Sequence, residues 1–194
     1  MAVITVARQL GSAGTWVATR AAEELGYEYV DRQLVFAAAA RAGVPEVALA
    51  QIDEFGLLSP APVREAHDAY LKALLTVIVE AARRGNLVIG GYGGQLILSD
   101  FPGAFHVQVI APFARRAGRI AERQGVSLST AESLVRAADR RRALYLRRYY
   151  GVDWLDPGLY DLVVNTGRIE PPAAVRLIVE AVRAPHLAVP RSRP

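Results

Sequence analysis

Short apolar runs alternate along the chain with longer stretches whose apolar residues recur every three or four positions. Val3-Ile4-Thr5-Val6, Tyr27-Glu28-Tyr29-Val30, Leu87-Val88-Ile89, Phe105 to Ile110 and Leu162-Val163-Val164 read as strands. Helical spacing runs between them over about 14–25, 33–43, 63–84, 112–124, 129–149 and 172–183. This alternation predicts βα units, and hence one doubly wound α/β domain with a parallel five-stranded sheet between helices. A binding crevice is then expected at the carboxyl ends of the strands.

Local chemistry supports several of these boundaries. Gly26 and Gly85 follow helical runs where a left-handed cap is wanted. Pro112 and Pro172 suit a first helical turn, and Ser129 with Glu132 reads as a capping box. The stretch 53–62 reads as a loop before the helix at 63–84, and 185–194 as a loose tail.

Composition narrows the chemistry. The chain has no cysteine, so disulfides, thiolate catalysis and cysteine metal sites are excluded. That composition fits a cytoplasmic protein, and no stretch is long and apolar enough to span a bilayer. Lys72 is the sole lysine among 23 basic residues. Any role that lysine plays elsewhere must here fall to arginine. A net charge of +4 favours anionic partners without making nucleic acid the default.

The first strand runs into Arg8-Gln9-Leu10-Gly11-Ser12-Ala13-Gly14-Thr15-Trp16 and then a helix. A glycine turn there lets backbone N–H groups converge on an anion at a helix N-terminus, although a ligand-free turn has the same pattern. A dinucleotide fingerprint fits Gly11, Gly14 and Asp31 but lacks its first glycine, because position 9 is Gln. A P-loop lacks the same glycine, with Thr15 where Lys belongs and Trp16 where Ser or Thr belongs. On the motif alone both readings stay open.

The wider chain resembles the cytidylate-kinase-like family. The resemblance rests on ITVARQLGSAGTWVATRAAEELGYEYVDRQLV, LVIGGYGGQLIL, VIAPFARRAGRIAERQGVS and ADRRRALYLRRYYGVDWLDPGLYDLVVNTGRI, in order over nearly the whole chain. It implies a P-loop nucleoside monophosphate kinase fold over residues 1–184, with a monophosphate-binding part at about 31–85 and an arginine-bearing lid at about 112–150. It further implies nucleotides as partners, with ATP and Mg²⁺ as donor and cofactor. The phosphate loop would be Arg8, Gly11, Ser12, Ala13, Gly14, Thr15 and Trp16, with the Thr15 hydroxyl as a Mg²⁺ ligand. Asp31, Arg32, Gly91, Tyr92 and Gly93 would form the acceptor region.

Two departures bear on activity. The family generally carries a basic residue where this chain has Thr15, and tends to G-R-G or G-R-D where it has Gly91-Tyr92-Gly93. Both replace a cation near phosphate, and phosphoryl transfer rests on such electrostatics. Arg8, just before the loop, is the candidate replacement; a strand-end arginine paired with a carboxylate is the plainer alternative.

Ten arginines lie between 115 and 148, against Glu122, Glu132 and Asp139. Arg116, Arg119 and Arg123 share one helical face, as do Arg136, Arg140 and Arg147 on the next helix. By resemblance they flank the lid, and Arg116, Arg119, Arg140 and Arg142 are expected to clamp a polyphosphate; a solvated helical face is the alternative. Tyr145, Tyr149, Tyr150 and Trp154 follow at helical spacing, where core packing is favoured over single-strand nucleic-acid binding. Asp31 suits either ribose binding or an N-cap. His67, His106 and His186 are scattered and receive no chemistry.

Phosphoryl transfer to a pyrimidine nucleoside monophosphate is therefore expected. The alternative is a catalytically impaired nucleotide-, polyphosphate- or partner-binding module on the same fold. A nicotinamide-dependent oxidoreductase ranks third, because position 9 is not glycine.

Overall fold

The computed structural model describes residues 2–43 and 64–184, with only the backbone described for 32, 35 and 64–70. The expected loop at 53–62 and tail at 185–194 lie outside the described residues. Five strands form one sheet: β1 (Val3–Arg8), β2 (Glu28–Val30), β3 (Leu87–Gly90), β4 (Ala104–Ile110) and β5 (Leu162–Asn165). Their order is β2-β3-β1-β4-β5 and every pairing is parallel. The helices are α1 (Gly14–Leu25), α2 (Arg32–Arg41), α3 (Arg64–Arg84), α4 (Gly94–Ile97), α5 (Phe113–Gln124), α6 (Leu128–Tyr150) and α7 (Pro171–Arg183), with a short 3₁₀ turn at Pro157–Leu159.

A parallel sheet buried on both faces needs apolar residues at successive positions, as in the fully buried β3, while the edge strands β2 and β5 are partly exposed and β2 carries the exposed Glu28. In β1, Val3 faces α2 and α3 while Ile4 and Val6 face α1 and α7. Leu74, Ile78, Leu87 and Ile89 fill the first layer; Val17, Val107, Val164 and Ile178 fill the second. Helix α4 and the 3₁₀ turn have too few residues to show a period, and the sequence pattern does not separate them from loop.

One boundary is corrected. The N-cap of α6 is Ser127, whose hydroxyl accepts from the Thr130 N–H at 3.1 Å, and not Ser129. Ser129 lies within the first turn, and Glu132 pairs with Arg136 at 2.6 Å in place of a capping box. Gly26, at φ +68°, closes α1 in the left-handed conformation as expected.

The sheet order places β3 and β4 on opposite sides of β1. The carboxyl end of β1 is thus the switch point of the sheet, and the loop 9–13 emerges there. Helices α5 and α6 form a hairpin beyond it, joined through Gly125 at φ +64° and packed by Ile120, Ala131 and Val135.

Candidate functional site

The loop after β1 is held from three sides. Gly11 has φ +81°, and a Cβ there would lie 2.5 Å from the Arg116 carbonyl oxygen, so both conformation and space require glycine. Ala13 adopts φ +61° before α1 opens at Gly14, whose N–H donates to Ser12 Oγ at 3.2 Å. Gln9 is more than a missing glycine, because its Oε1 accepts from the Ala111 N–H at 3.0 Å and ties the loop to the end of β4. Thr166 Oγ1 is 2.6 Å from the Ser12 carbonyl oxygen and anchors the loop to the end of β5. No local sequence signal marks these two contacts, because strand order alone brings together positions 102 and 154 residues apart.

A cavity of about 360 Å³ opens over this loop. Gly11, Ala13, Gly14, Thr15 and Trp16 line it along with Asp31, whereas Ser12 is buried beneath the turn. Three guanidiniums also reach it: Arg8 from β1, Arg123 from α5 and Arg142 from α6. Trp16 is 44% exposed at this cavity and belongs to no core cluster; the Arg20 guanidinium lies 5.8 Å from its ring centroid.

The expected arginine clamp divides. Arg116 is 4% exposed and turned into the protein. It donates to the Ala111 carbonyl through Nε and forms a bidentate pair with Asp139 at 3.0 and 2.8 Å. Arg119 donates to the Thr166 carbonyl oxygen at 2.8 Å and to the Gly11 carbonyl oxygen at 3.3 Å. Both brace the loop from behind, so the face shared by 116 and 119 is a loop-supporting one. Arg140 is exposed on α6 and does not line the cavity. Arg142 does: it donates to the Arg8 carbonyl oxygen, and its guanidinium lies 4.8 Å from the Trp154 ring centroid. Arg123, which shares the spacing of 116 and 119, is the second arginine of the α5–α6 hairpin at the cavity.

Asp31 occupies the N-cap position of α2 without a side-chain cap bond. Its carboxylate instead accepts from Arg8 Nη2 at 2.7 Å and from the Tyr29 hydroxyl at 2.9 Å. Burial, the largest influence, and the Asp31 carboxylate push the Tyr29 hydroxyl well above the ordinary tyrosine range, against the opposing pull of Arg8. Tyr29 therefore stays protonated and donating at neutral pH. Arg8 Nε donates to Thr15 Oγ1 at 2.8 Å. The Arg32 side chain lies outside the described residues.

A second, smaller cavity of about 30 Å³ adjoins the first. Gly91, Tyr92 and Gly93 line it, facing Tyr145 and Trp154. Tyr92 replaces the expected arginine with a buried ring on a left-handed backbone, at φ +57° and 6% exposure. Arg8 and Arg142 line both cavities and form their common wall. The buried His106 contacts Thr5 Oγ1 through Nδ1 at 2.7 Å, inside the sheet.

A phosphate-type turn at the switch point of a parallel sheet, with cations arriving from a separate helical hairpin, defines a P-loop, nucleoside-monophosphate-kinase-like domain. Residues 3–168 match the cytidylate kinase-like family, and the chain belongs to that family. It is 31% identical over 178 residues to the cytidylate kinase of Ignicoccus hospitalis, covering 92% of this chain and 97% of that one. An uncharacterized protein from Eubacterium ventriosum superposes with a TM-score of 0.73 at 22% identity, over 94% of this chain and 98% of the other. Shikimate kinase from Acinetobacter baumannii, solved with shikimate, gives a TM-score of 0.57 at 16% identity, over 97% and 96%. These two solved structures share the fold.

Proposed function

We propose that the chain transfers the terminal phosphoryl group of ATP to a pyrimidine nucleoside monophosphate. The observation that carries this reading is the pair of adjoining cavities with Arg8 and Arg142 as their common wall. A donor triphosphate laid on the Gly11–Gly14 turn would point its terminal phosphate at that wall, with the acceptor phosphate beyond it. The Ignicoccus relative is named a cytidylate kinase, and that supports a pyrimidine acceptor.

The protein's part is positioning and charge stabilisation. Loop amides hold the donor phosphates, and guanidiniums at the wall offset the charge that builds on the transferred group. No covalent intermediate is required. Asp31 accepts from Arg8 and Tyr29 through Oδ2 and lines the larger cavity, so the ribose contact considered from the sequence would fall to its other oxygen.

Mg²⁺ lacks a good resident ligand among the described residues. Thr15 Oγ1 already takes a hydrogen bond from a guanidinium 2.8 Å away, which would repel a dication on that oxygen. No cluster of three or more His, Asp or Glu is present among the described residues. Mg²⁺ therefore belongs with the nucleotide substrate, as Mg·ATP.

A binding module without turnover is the competing reading, favoured by Thr15 and Tyr92 in place of cations. Coupled ADP release with Mg·ATP over a panel of nucleoside monophosphates separates the two. Release that depends on the acceptor and is fastest with CMP or UMP supports transfer. Saturable ATP binding with no acceptor-dependent release would establish the binding module.

A further inference from the structure

Resting on the phosphotransfer reading, we propose that the Arg8 guanidinium serves both positions where this chain lacks a cation, presenting its single charge and its N–H donors toward the donor phosphates on one side and the acceptor on the other.

The side chain is built for that position. Its stem leaves the end of β1, and Nε reaches the Thr15 hydroxyl at 2.8 Å, where the missing loop cation would start. Nη2 is fixed by Asp31 at 2.7 Å, and Tyr29 fixes that carboxylate in turn at 2.9 Å. Nη1 points the other way, toward the 91–93 turn. A Cβ on Gly91 would stand 2.8 Å from Nη1 and one on Gly90 3.3 Å from it, so the floor of the second cavity is glycine where Arg8 lies over it. Side chains at 15 and 92 therefore do not need to be basic. One guanidinium, 16% exposed in its side chain, binds Thr15 on one side and lies beside Gly90 and Gly91 on the other.

The fork geometry explains how one residue covers two sites. A guanidinium carries five N–H donors in a fixed plane, and the bonds to Thr15 and Asp31 engage two of them. The Nη1 group remains directed at the boundary between the cavities. Lysine, a point charge on a flexible stem, could not be held by a carboxylate and still present donors on both sides. Asp31 partly offsets the charge of Arg8, so its contribution is orientation, and Arg142 adds positive charge on the same wall.

The two tryptophans provide separate reporters, because Trp16 lines the larger cavity and Trp154 the smaller. Turnover with Mg·ATP and CMP, and ATP and CMP affinity by tryptophan fluorescence, are compared in wild type, Arg8→Ala, Thr15→Lys and Arg8→Ala/Thr15→Lys. Arg8→Ala is expected to lower kcat by about 10²–10³ and to weaken both nucleotides. Adding Thr15→Lys in that background should restore kcat and ATP affinity at least about tenfold, while CMP affinity stays low. Asp31→Asn, which loosens the hold on Arg8 Nη2, should lower kcat and weaken both nucleotides in the same direction as Arg8→Ala but by less. Arg8→Gln replaces Arg8→Ala should the latter fail to fold. A folded Arg8 variant with turnover and both affinities within about threefold of wild type overturns the assignment. So does a loss that Thr15→Lys leaves untouched, which would make Arg8 a structural residue. If wild type transfers to no acceptor, the phosphotransfer reading fails. The Arg8 assignment is then decided by whether Arg8→Ala weakens ATP and CMP binding and Thr15→Lys recovers ATP binding alone.

Discussion

Tyr29 shows how a single hydroxyl can tie stability to the site. Burial raises its pKa, and burial likewise raises that of Tyr160, which donates to the Trp154 carbonyl oxygen at 2.7 Å. An unfolded tyrosine ionises near pH 10, while these two hold their protons to higher pH when folded. The folded chain then binds more protons than the unfolded one above pH 10, so stability falls as pH rises. The urea midpoint should be insensitive to these groups between pH 7 and 9 and drop above 10. Tyr29→Phe, which also loses the bond to Asp31, should make that drop shallower. Gly14 sets a different constraint: a Cβ there would meet Arg8 Cβ at 2.5 Å and Val109 Cβ at 3.1 Å. Gly14→Val should therefore displace Arg8 as well as block the loop, so that ATP binding is lost together with a lowered thermal midpoint. From the sequence, position 14 asks for glycine because of its turn, and nothing local reveals the Arg8 side chain beside it. Arg8 itself is legible as a candidate cation, and also as a carboxylate partner. The structure assigns it the carboxylate, and geometry leaves Nη1 directed at the cavities.

Helices and strands are the most legible part of the chain. The five strands and six longer helices follow from short, mainly apolar β-rich runs and three-to-four spacing, because a parallel sheet favours the first and amphipathic packing the second. The start of α6 is less determined, since Ser127, Ser129 and Thr130 all carry hydroxyls suited to a cap. Ser127 takes the cap, and its hydroxyl accepts from the Thr130 N–H. Ser127→Ala should cost about 1 kcal/mol by urea denaturation, whereas Ser129→Ala should stay within about 0.5 kcal/mol. The arginine stripe is legible as a stripe but not as a set of roles. Helical spacing places 116, 119 and 123 on one face, yet α5 lies so close to the loop that Arg116 and Arg119 bind protein carbonyls and, of the three, only Arg123 reaches the open cavity.

The layout of sheet, loop and helical hairpin carries the remaining expectations. A cavity of about 30 Å³ holds about one water and cannot admit a nucleoside monophosphate until its walls part. The wall made by Arg142, Tyr145 and Trp154 belongs to the carboxyl half of α6 and the turn after it, so opening is expected to involve the hairpin. Hydrogen exchange across 112–150 should slow when ATP and CMP are both bound, and their affinity should fall as salt rises because the contacts are ionic. Unchanged exchange at proven occupancy would leave the hairpin a fixed buttress.

The claim that two joined cavities form one transfer site is best tested with a molecule that spans them. Calorimetric titration with adenosine and cytidine linked through a pentaphosphate addresses it in one experiment. Binding at least about 10²-fold tighter than ATP, and lost in Arg8→Ala, is the expected result. Affinity no greater than that of ATP, with CMP still able to bind alongside the linked compound, would contradict a shared donor–acceptor site.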